Sequence, residues 1–441
     1  MTKEKSLIAK YNGPINGYAE VPGDKSISHR AILLSMLSEG KTHIENCLFS
    51  DDVLRTIKVS RLLGTNISKK NLTLTVDGLG LNGLKKPLET LNFGNSGTSM
   101  RLFMGILAAQ KFESILTGDS SLVKRPMDRV ADPLIKMGAN IETTSGTAPI
   151  NIFPTNNLKS IKHDLEIPSA QIKSAILLAS LFCSGKTIIN TKTKSRDHTE
   201  IMLRDFSSSI ISENNKIHIT EGRLISPGKI QVPGDVSSAA FLILATLISK
   251  DSELIIENVG LNPTRTGFIE IMKLMGGKIK TVINNQTKSS EKIGSIIITS
   301  SNLKGIKVPK HLITSAIDEL PLVFLAGACA EGSTIIKNAE ELRYKESDRI
   351  NSMIKTLNAF SIKTKEFNDG ATIVDMRNYY EGEVGKFEGA ITPDVDTSME
   401  LLPEVKNILQ GQEDDKILLY CTGGIRCEKA SAYLIYHGFK D

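Results

Sequence analysis

A polar turn leading into an apolar helix recurs five times along this 441-residue chain, and no other feature limits its fold so strongly. Val21-Pro22-Gly23-Asp24-Lys25-Ser26 returns as Val232-Pro233-Gly234-Asp235-Val236-Ser237, and small apolar runs follow each, Ala31 to Leu37 and Ala239 to Ile248. Three looser copies keep the layout. Phe93-Gly94-Asn95-Ser96-Gly97-Thr98 runs into Met100 to Ala109, Ile167-Pro168-Ser169-Ala170-Gln171 into Ala175 to Leu181, and Leu312 to Asp318 into Leu320 to Ala330. The starts, near 21, 92, 167, 232 and 312, lie about 65 to 80 residues apart, which fits tandem α/β units that each add a buried helix and its strands. A sixth start is due near 385 and is absent. Ile373-Val374-Asp375-Met376-Arg377 and Leu418-Leu419-Tyr420-Cys421-Thr422-Gly423-Gly424 follow another pattern.

Turns at helix starts present backbone N–H groups and the positive end of the helix dipole, a natural site for anions. One Gly-Asp-Ser turn alone is an ordinary helix cap; five in register, three with added basic residues, point to anion binding. Lys25, Ser26 and Arg30 converge on the first turn, with Arg30 one helical turn beyond Ser26. Asn95-Ser96-Gly97-Thr98 offers a second turn, where glycine lets the backbone approach a ligand closely. Lys124-Arg125-Pro126 adds a guanidinium. Lys345-Glu346-Ser347-Asp348-Arg349 sets Lys345 and Arg349 four residues apart, as on one helical face, although such a run also fits a solvated, salt-bridged helix start. The Walker spacing of a P-loop is absent.

Charge separates the last stretch from the rest: the net +5 divides into −6 over residues 371–441 and +11 before them, and five of the eight tyrosines fall in that stretch. A basic body with an acidic, Tyr-rich tail suggests two modules. The five cysteines, Cys47, Cys183, Cys329, Cys421 and Cys427, lack CxxC spacing, so neither a disulfide framework nor a zinc site is signalled. No leader-like apolar run follows Met1 and no 18-residue apolar stretch occurs, so a cytoplasmic protein without a membrane span is expected.

The strings PGDKSISHRA, FGNSGTSMR, KRPM, PSAQIKSA, KSRDHTE, NPTR, SAIDELP and RYKESDRI occur in the order and spacing of EPSP synthases, from about residue 10 to 370. That resemblance implies two domains of repeated α/β units, an inside-out α/β barrel arrangement, with 1–22 and 234–370 forming one domain and 23–233 the other. It implies transfer of the carboxyvinyl group of phosphoenolpyruvate to the 5-hydroxyl of shikimate 3-phosphate, with no metal or organic cofactor. By the same resemblance Lys25, Ser26, Arg30, Ser169, Gln171, Ser195, Arg196, Asp318 and Lys345 hold shikimate 3-phosphate. Lys25, Asn95, Gly97, Arg125, Gln171 and Arg349 hold phosphoenolpyruvate. Asp318 is the base for the hydroxyl, and Glu346 with Lys25 moves the methylene proton. A monomer that acts on small anions rather than nucleic acid is implied. The UDP-N-acetylglucosamine enolpyruvyl transferases are relatives by fold, but the Lys25-Ser26-Ile27-Ser28-His29-Arg30 turn favours the shikimate enzyme, and Cys47, Cys183 and Cys329 read as packing residues.

The chain departs from that family after Arg349. The Asp-His-Arg turn and the C-terminal lysine of the family's last repeat are missing; the only Asp-His pair is Asp197-His198, and the only later arginines are Arg377 and Arg426. Residues 371–441 instead resemble part of a rhodanese-like domain of the tRNA uridine-hydroxylating type, through Val374-Asp375-Met376-Arg377-Asn378 and Cys421-Thr422-Gly423-Gly424-Ile425-Arg426-Cys427. In such loops backbone N–H groups lower the pKa of the thiol at the position of Cys421, and Arg426 closes the loop. Three functions therefore stand side by side: an impaired carboxyvinyltransferase, sulfur transfer or tRNA modification through Cys421, and a non-catalytic chimera that binds shikimate 3-phosphate.

Overall fold

The computed structural model describes residues 13–374 except 157, 285–289, 346 and 361, and beyond them only 403, 406–407, 409–410 and 432–438. All five turns lead into helices: α1 (Lys25–Leu37), α2 (Gly97–Leu107), α3 (Ala170–Ser180), α4 (Val236–Ile248) and α5 (Leu320–Ala328). Asp24, Ser96, Ser169 and Asp235 cap the first four through side-chain oxygens that accept from Ile27, Ser99, Ile172 and Ser237 N–H, the roles short polar residues play at this position. The helices are apolar around most of their circumference. In α1 everything from Ile27 to Leu37 is buried, as expected of a helix walled in by protein. Gly105 lets α2 touch α3, since a Cβ there would lie 2.2 Å from the Ala175 carbonyl oxygen.

Behind the helices the described residues form five sheets of one design, a parallel edge pair followed by two antiparallel strands. Their orders are Lys229–Gln231, Lys41–Glu45, Thr73–Asp77, Asn66–Lys70; Leu91–Asn92, Ser114–Thr117, Thr147–Phe153, Asn140–Thr144; Lys162–Leu165, Lys186–Thr191, Lys216–Thr220, Ile210–Glu213; and Asn16–Ala19, Glu253–Gly260, Ile293–Thr299, Lys278–Ile283. In the fifth, Ser333–Ile336 pairs with Gly370–Val374 and that with Lys363–Phe367, while the parallel edge shrinks to a bridge between Lys307 and Ile335. Gly370–Val374 thus belongs to the fifth unit. The sequence boundary at 370 falls too early, because the two-residue turn Asn368-Asp369 folds this strand back as a hairpin whose Ala371 and Ile373 are fully buried.

Buried apolar side chains gather in two clusters, one between Ile27 and Val232 and one between Val236 and Ile373, with Ile15, Ala19 and Val21 packed on the second. The chain changes cluster at the two copies of Val-Pro-Gly-Asp, and these copies pair with each other. Gly23 and Gly234 form an antiparallel bridge; Asp24 N–H donates to Pro233 O and Asp235 N–H to Pro22 O, both at 2.8 Å. Gly23 is required there, because a Cβ would fall 2.0 Å from the Asn46 carbonyl oxygen. The strongest repeat in the sequence is therefore a pair of crossing straps. The first body contains three of the described sheets and the second two. On the second, Phe241 of α4 and Leu325 of α5 are 65% and 38% exposed.

Candidate active site

None of the five repeat helices carries an acidic residue in its first turn, but Asp24, Asp235 and Glu319 stand at the N-caps of α1, α4 and α5, so only the starts of α2 and α3, capped by Ser96 and Ser169, lack a carboxylate at the cap or in the first turn. Side chains tie these ends together. At the straps, Arg265 is buried against carboxylates from three segments: its Nη2 lies 3.1 Å from Asp235 Oδ1, 3.8 Å from Asp24 Oδ2 and 3.8 Å from Glu319 Oε1, and its Nη1 3.7 Å from Asp318 Oδ2. Gln171, at the start of α3, donates from Nε2 to Thr98 Oγ1 on α2 at 2.9 Å and accepts from Arg101 Nη1 at 2.8 Å. Arg30 links α1 to α3, its Nη2 donating to Ser174 Oγ at 2.8 Å and its Nε to Thr199 Oγ1 at 2.7 Å.

Asp318 is the electrostatic centre of the junction between the bodies. It pairs with Arg196 from the first body, and its Oδ1 lies 3.3 Å from Arg349 Nη1. Burial pushes its carboxyl up, yet Arg196, Lys345 and Arg265 outweigh that and hold it well below the usual carboxylate range. Lys345 is pushed down, chiefly by burial, with Asp318 opposing. Arg265 is held above its usual value: burial opposes, and the surrounding carboxylates prevail. Asp235, whose burial is reinforced by Asp24 nearby, rises to about 6.

Others of the expected residues lie at or beside the starts of α1, α2 and α3. Lys25 is half exposed and 3.3 Å from Asp52 Oδ2, and Ser26 beside it is half buried. Arg30 is buried, and its burial lowers it to about 10. Arg125 Nη2 donates to Asn95 Oδ1, and Asn95 Nδ2 to Asp119 Oδ2 at 2.8 Å. Gly97 lies under these guanidiniums: a Cβ would be 2.9 Å from Arg101 Nη1 and 3.2 Å from Arg125 Nη1. Ser169 caps α3, and Ser195 Oγ is buried with no hydrogen-bond partner among the described residues. Lys173 Nζ, 3.4 Å from Ser195 O, forms a fully buried pair with Glu200 at 2.6 Å.

Two expectations change. Lys345 and Arg349 do not share a helical face, because the helix runs Arg349–Ala359 and Lys345 precedes it in extended backbone. Asp348, held by Arg343 Nη1 at 2.7 Å, caps that helix and forces the start at Arg349; Arg349 still meets Asp318 at 3.3 Å, and the charge of Lys345 still lowers the Asp318 carboxyl. Cys47 and Cys183 are buried, and burial raises their thiols to about 11 and about 12, but Cys329, at the end of α5, is exposed. Glu346, Cys421 and Arg426 lie outside the described residues. Apart from the repeated Gly-Asp, the sequence carries no signal that Arg265 clusters with Asp24 and Asp235 or that Asn262 sits beside them.

No cluster of His, Cys, Asp or Glu suited to a metal occurs among the described residues, and no single described helix is long and apolar enough to cross a membrane. Fold and site together define a class: a two-bodied α/β protein of tandem units whose helix starts and basic side chains meet at one acid-centred junction. Comparison with known proteins narrows this. The family model for EPSP synthase (3-phosphoshikimate 1-carboxyvinyltransferase) matches residues 10–391. A 3-phosphoshikimate 1-carboxyvinyltransferase of Vesicomyosocius okutanii is 48% identical over 367 residues, 83% of this chain and 84% of its own. That of Caldicellulosiruptor bescii is 46% identical over 375 residues, 84% and 86% of the two chains. The solved EPSP synthase of Acinetobacter baumannii superposes with a TM-score of 0.74 at 46% identity, covering 83% of each chain. The chain belongs to the EPSP synthase family.

Proposed function

We propose that the junction joins phosphoenolpyruvate to the 5-hydroxyl of shikimate 3-phosphate, with release of phosphate. The observation that carries this reading is Asp318, a carboxylate kept ionised by Arg196, Arg265 and Lys345 at the meeting of two bodies. An ionised carboxylate is suited to accept a hydroxyl proton, and the cations around it to offset repulsion between two multiply anionic substrates and hold them in attack geometry. Lys25, Ser26, Arg30, Ser169, Gln171, Ser195, Arg196 and Lys345 would hold shikimate 3-phosphate beside Asp318. The buried Ser195 Oγ, which has no partner among the described residues, suits a ligand contact. Lys25, Asn95, Gly97, Arg125, Gln171 and Arg349 would hold phosphoenolpyruvate, with Glu346 and Lys25 moving the methylene proton.

Turnover is expected to be slow. After Arg349 the only arginines are Arg377 and Arg426, and the Asp-His-Arg turn is missing. Two lost charge-assisted hydrogen bonds, at about 1.5–3 kcal/mol each, weaken phosphoenolpyruvate by roughly 10²- to 10⁴-fold. Coupled phosphate release with both substrates, run beside Asp318→Ala, tests the reading. Release that disappears in the variant supports it. A folded protein that binds neither substrate in calorimetry refutes it. For the tail, the Cys421-Thr422-Gly423-Gly424-Ile425-Arg426 string supports a rhodanese-like sulfur site, to be read as cyanolysable persulfide that is lost in Cys421→Ala.

A further inference from the structure

The string Asn262-Pro263-Thr264-Arg265 has no part in the proposed chemistry, yet it touches both sides of the central ion pair. Arg265 N–H donates to Asn262 O at 2.8 Å and Thr264 N–H to Asn262 Oδ1 at 2.8 Å, which closes a tight turn. From that turn Asn262 Nδ2 reaches into the other body and donates to Asp197 Oδ1 at 2.8 Å, and Thr264 Oγ1 lies 3.4 Å from the same oxygen. Asp197 follows Arg196 directly, and Arg196 pairs with Asp318. At the other end of the turn, Arg265 Nη1 faces Asp318 Oδ2 at 3.7 Å. The contacts form a closed circuit across the junction: Arg196 to Asp318, Asp318 to Arg265, the turn to Asp197, and Asp197 back to Arg196.

We propose that this turn is a latch that positions Arg196 and Asp318 against each other, with Asn262 and Arg265 as its two positioning residues. Asn262 Nδ2 also donates to Glu291 Oε2 at 3.1 Å and Arg265 Nη2 to Ser237 Oγ at 2.7 Å, so the turn is anchored on its own side while it holds Asp318 directly and Arg196 through Asp197. Asn262 is 3% and Arg265 4% exposed, which leaves water little room to replace either contact. Arg265 also touches Asp24 and Asp235 of the straps, so a shift of one body against the other reaches Asp318 through one guanidinium.

This inference rests on the proposed function for the role of the pair, but its test does not. A double-mutant cycle on the full chain sets Asn262→Ala against Arg196→Met, read as melting temperature without ligand and as shikimate 3-phosphate affinity in calorimetry. Each single change is expected to lower the melting temperature by about one to three degrees. Once either is made, the other is expected to add little, because the circuit is already broken. Additive melting shifts overturn the latch and leave Asn262 as a local turn-former. The melting cycle decides this even for a protein that binds no shikimate 3-phosphate, an outcome that refutes the substrate reading instead. Where binding is measurable, Asn262→Ala is expected to weaken it about 10-fold in the parent and hardly at all beside Arg196→Met. For Arg265, the charge-preserving Arg265→Lys is expected to keep most of the affinity that Arg265→Met loses; equal losses overturn its part.

Discussion

Asp235 caps α4 at the strap crossing, and neutralising it should make the protein more stable at neutral pH. Its Oδ1 accepts from Ser237 N–H at 2.9 Å and from Arg265 Nη2 at 3.1 Å. An asparagine presents the same oxygen, so Asp235→Asn preserves both bonds while removing a charge that burial, Asp24 and Glu319 all disfavour. The folded pKa of about 6 lies above the unfolded value of about 3.9, so the folded state holds more protons between them. Stability due to this group is therefore fully present below about pH 4 and is lost as pH rises through about 6. The gap corresponds to about 3 kcal/mol. Asp24 and Asp318 run the other way, both being lowered, but their transitions fall below the usual carboxylate value of 3.8. Urea unfolding of parent and variant at pH 4.5 and 7.5 measures the effect. Asp235→Asn should gain on the order of 2–3 kcal/mol over the parent at pH 7.5 and little at pH 4.5. An equal difference at both values refutes the reasoning.

Three further outcomes are expected. Gly97→Ala places a methyl group against Arg101 and Arg125 and should raise the KM for phosphoenolpyruvate about 10-fold with kcat little changed, which steady-state phosphate release would show. Lys173→Met strands Glu200 in the core and should cost about 3–5 kcal/mol in chemical unfolding, while Lys173→Met with Glu200→Gln recovers much of it; equal losses contradict the burial argument. Phe324→Ala should cost about 3–5 kcal/mol, whereas Phe241→Ser, on the exposed side of α4, should change stability by less than about 0.5 kcal/mol and reduce aggregation in light scattering.

Much of the fold is legible in the sequence because its signals are local. A capping residue and an apolar run sit within a dozen positions of each other, so the five turns that introduce α1 to α5 can be recognised without knowing what they pack on. The junction is less legible because its contacts span the chain. Asp318 meets Arg196 across 122 positions, and Asn262 reaches Asp197 across 65. Spacing within a short string says nothing of such partners, which is why Asn262 and Arg265 read only as part of a family string. Local spacing also misled at Lys345 and Arg349. Four residues apart reads as one helical face, but the Asp348 cap, fixed by Arg343, starts the helix later. The strand Gly370–Val374 straddles the boundary expected at 370, because the rhodanese-like string opens at Val374, and only its pairing with Ser333–Ile336 assigns it to the fifth unit.

The pairing of the straps has a consequence for how the chain can be divided. Entry to the first body at Gly23 and exit from it at Gly234 lie side by side, so everything between is an insertion whose ends already meet. Such a segment can be excised as one piece, or the host closed over the gap with a short link, without stretching either product. A chain joined from genes cut at these two glycines would also keep every described sheet whole on its own side: Asn16–Ala19 stays with Glu253–Gly260 and Gly370–Val374 with Ser333–Ile336 in the host, and Lys229–Gln231 stays with Lys41–Glu45 in the insert. The same crossing that joins the bodies marks the place where one of them could be exchanged whole.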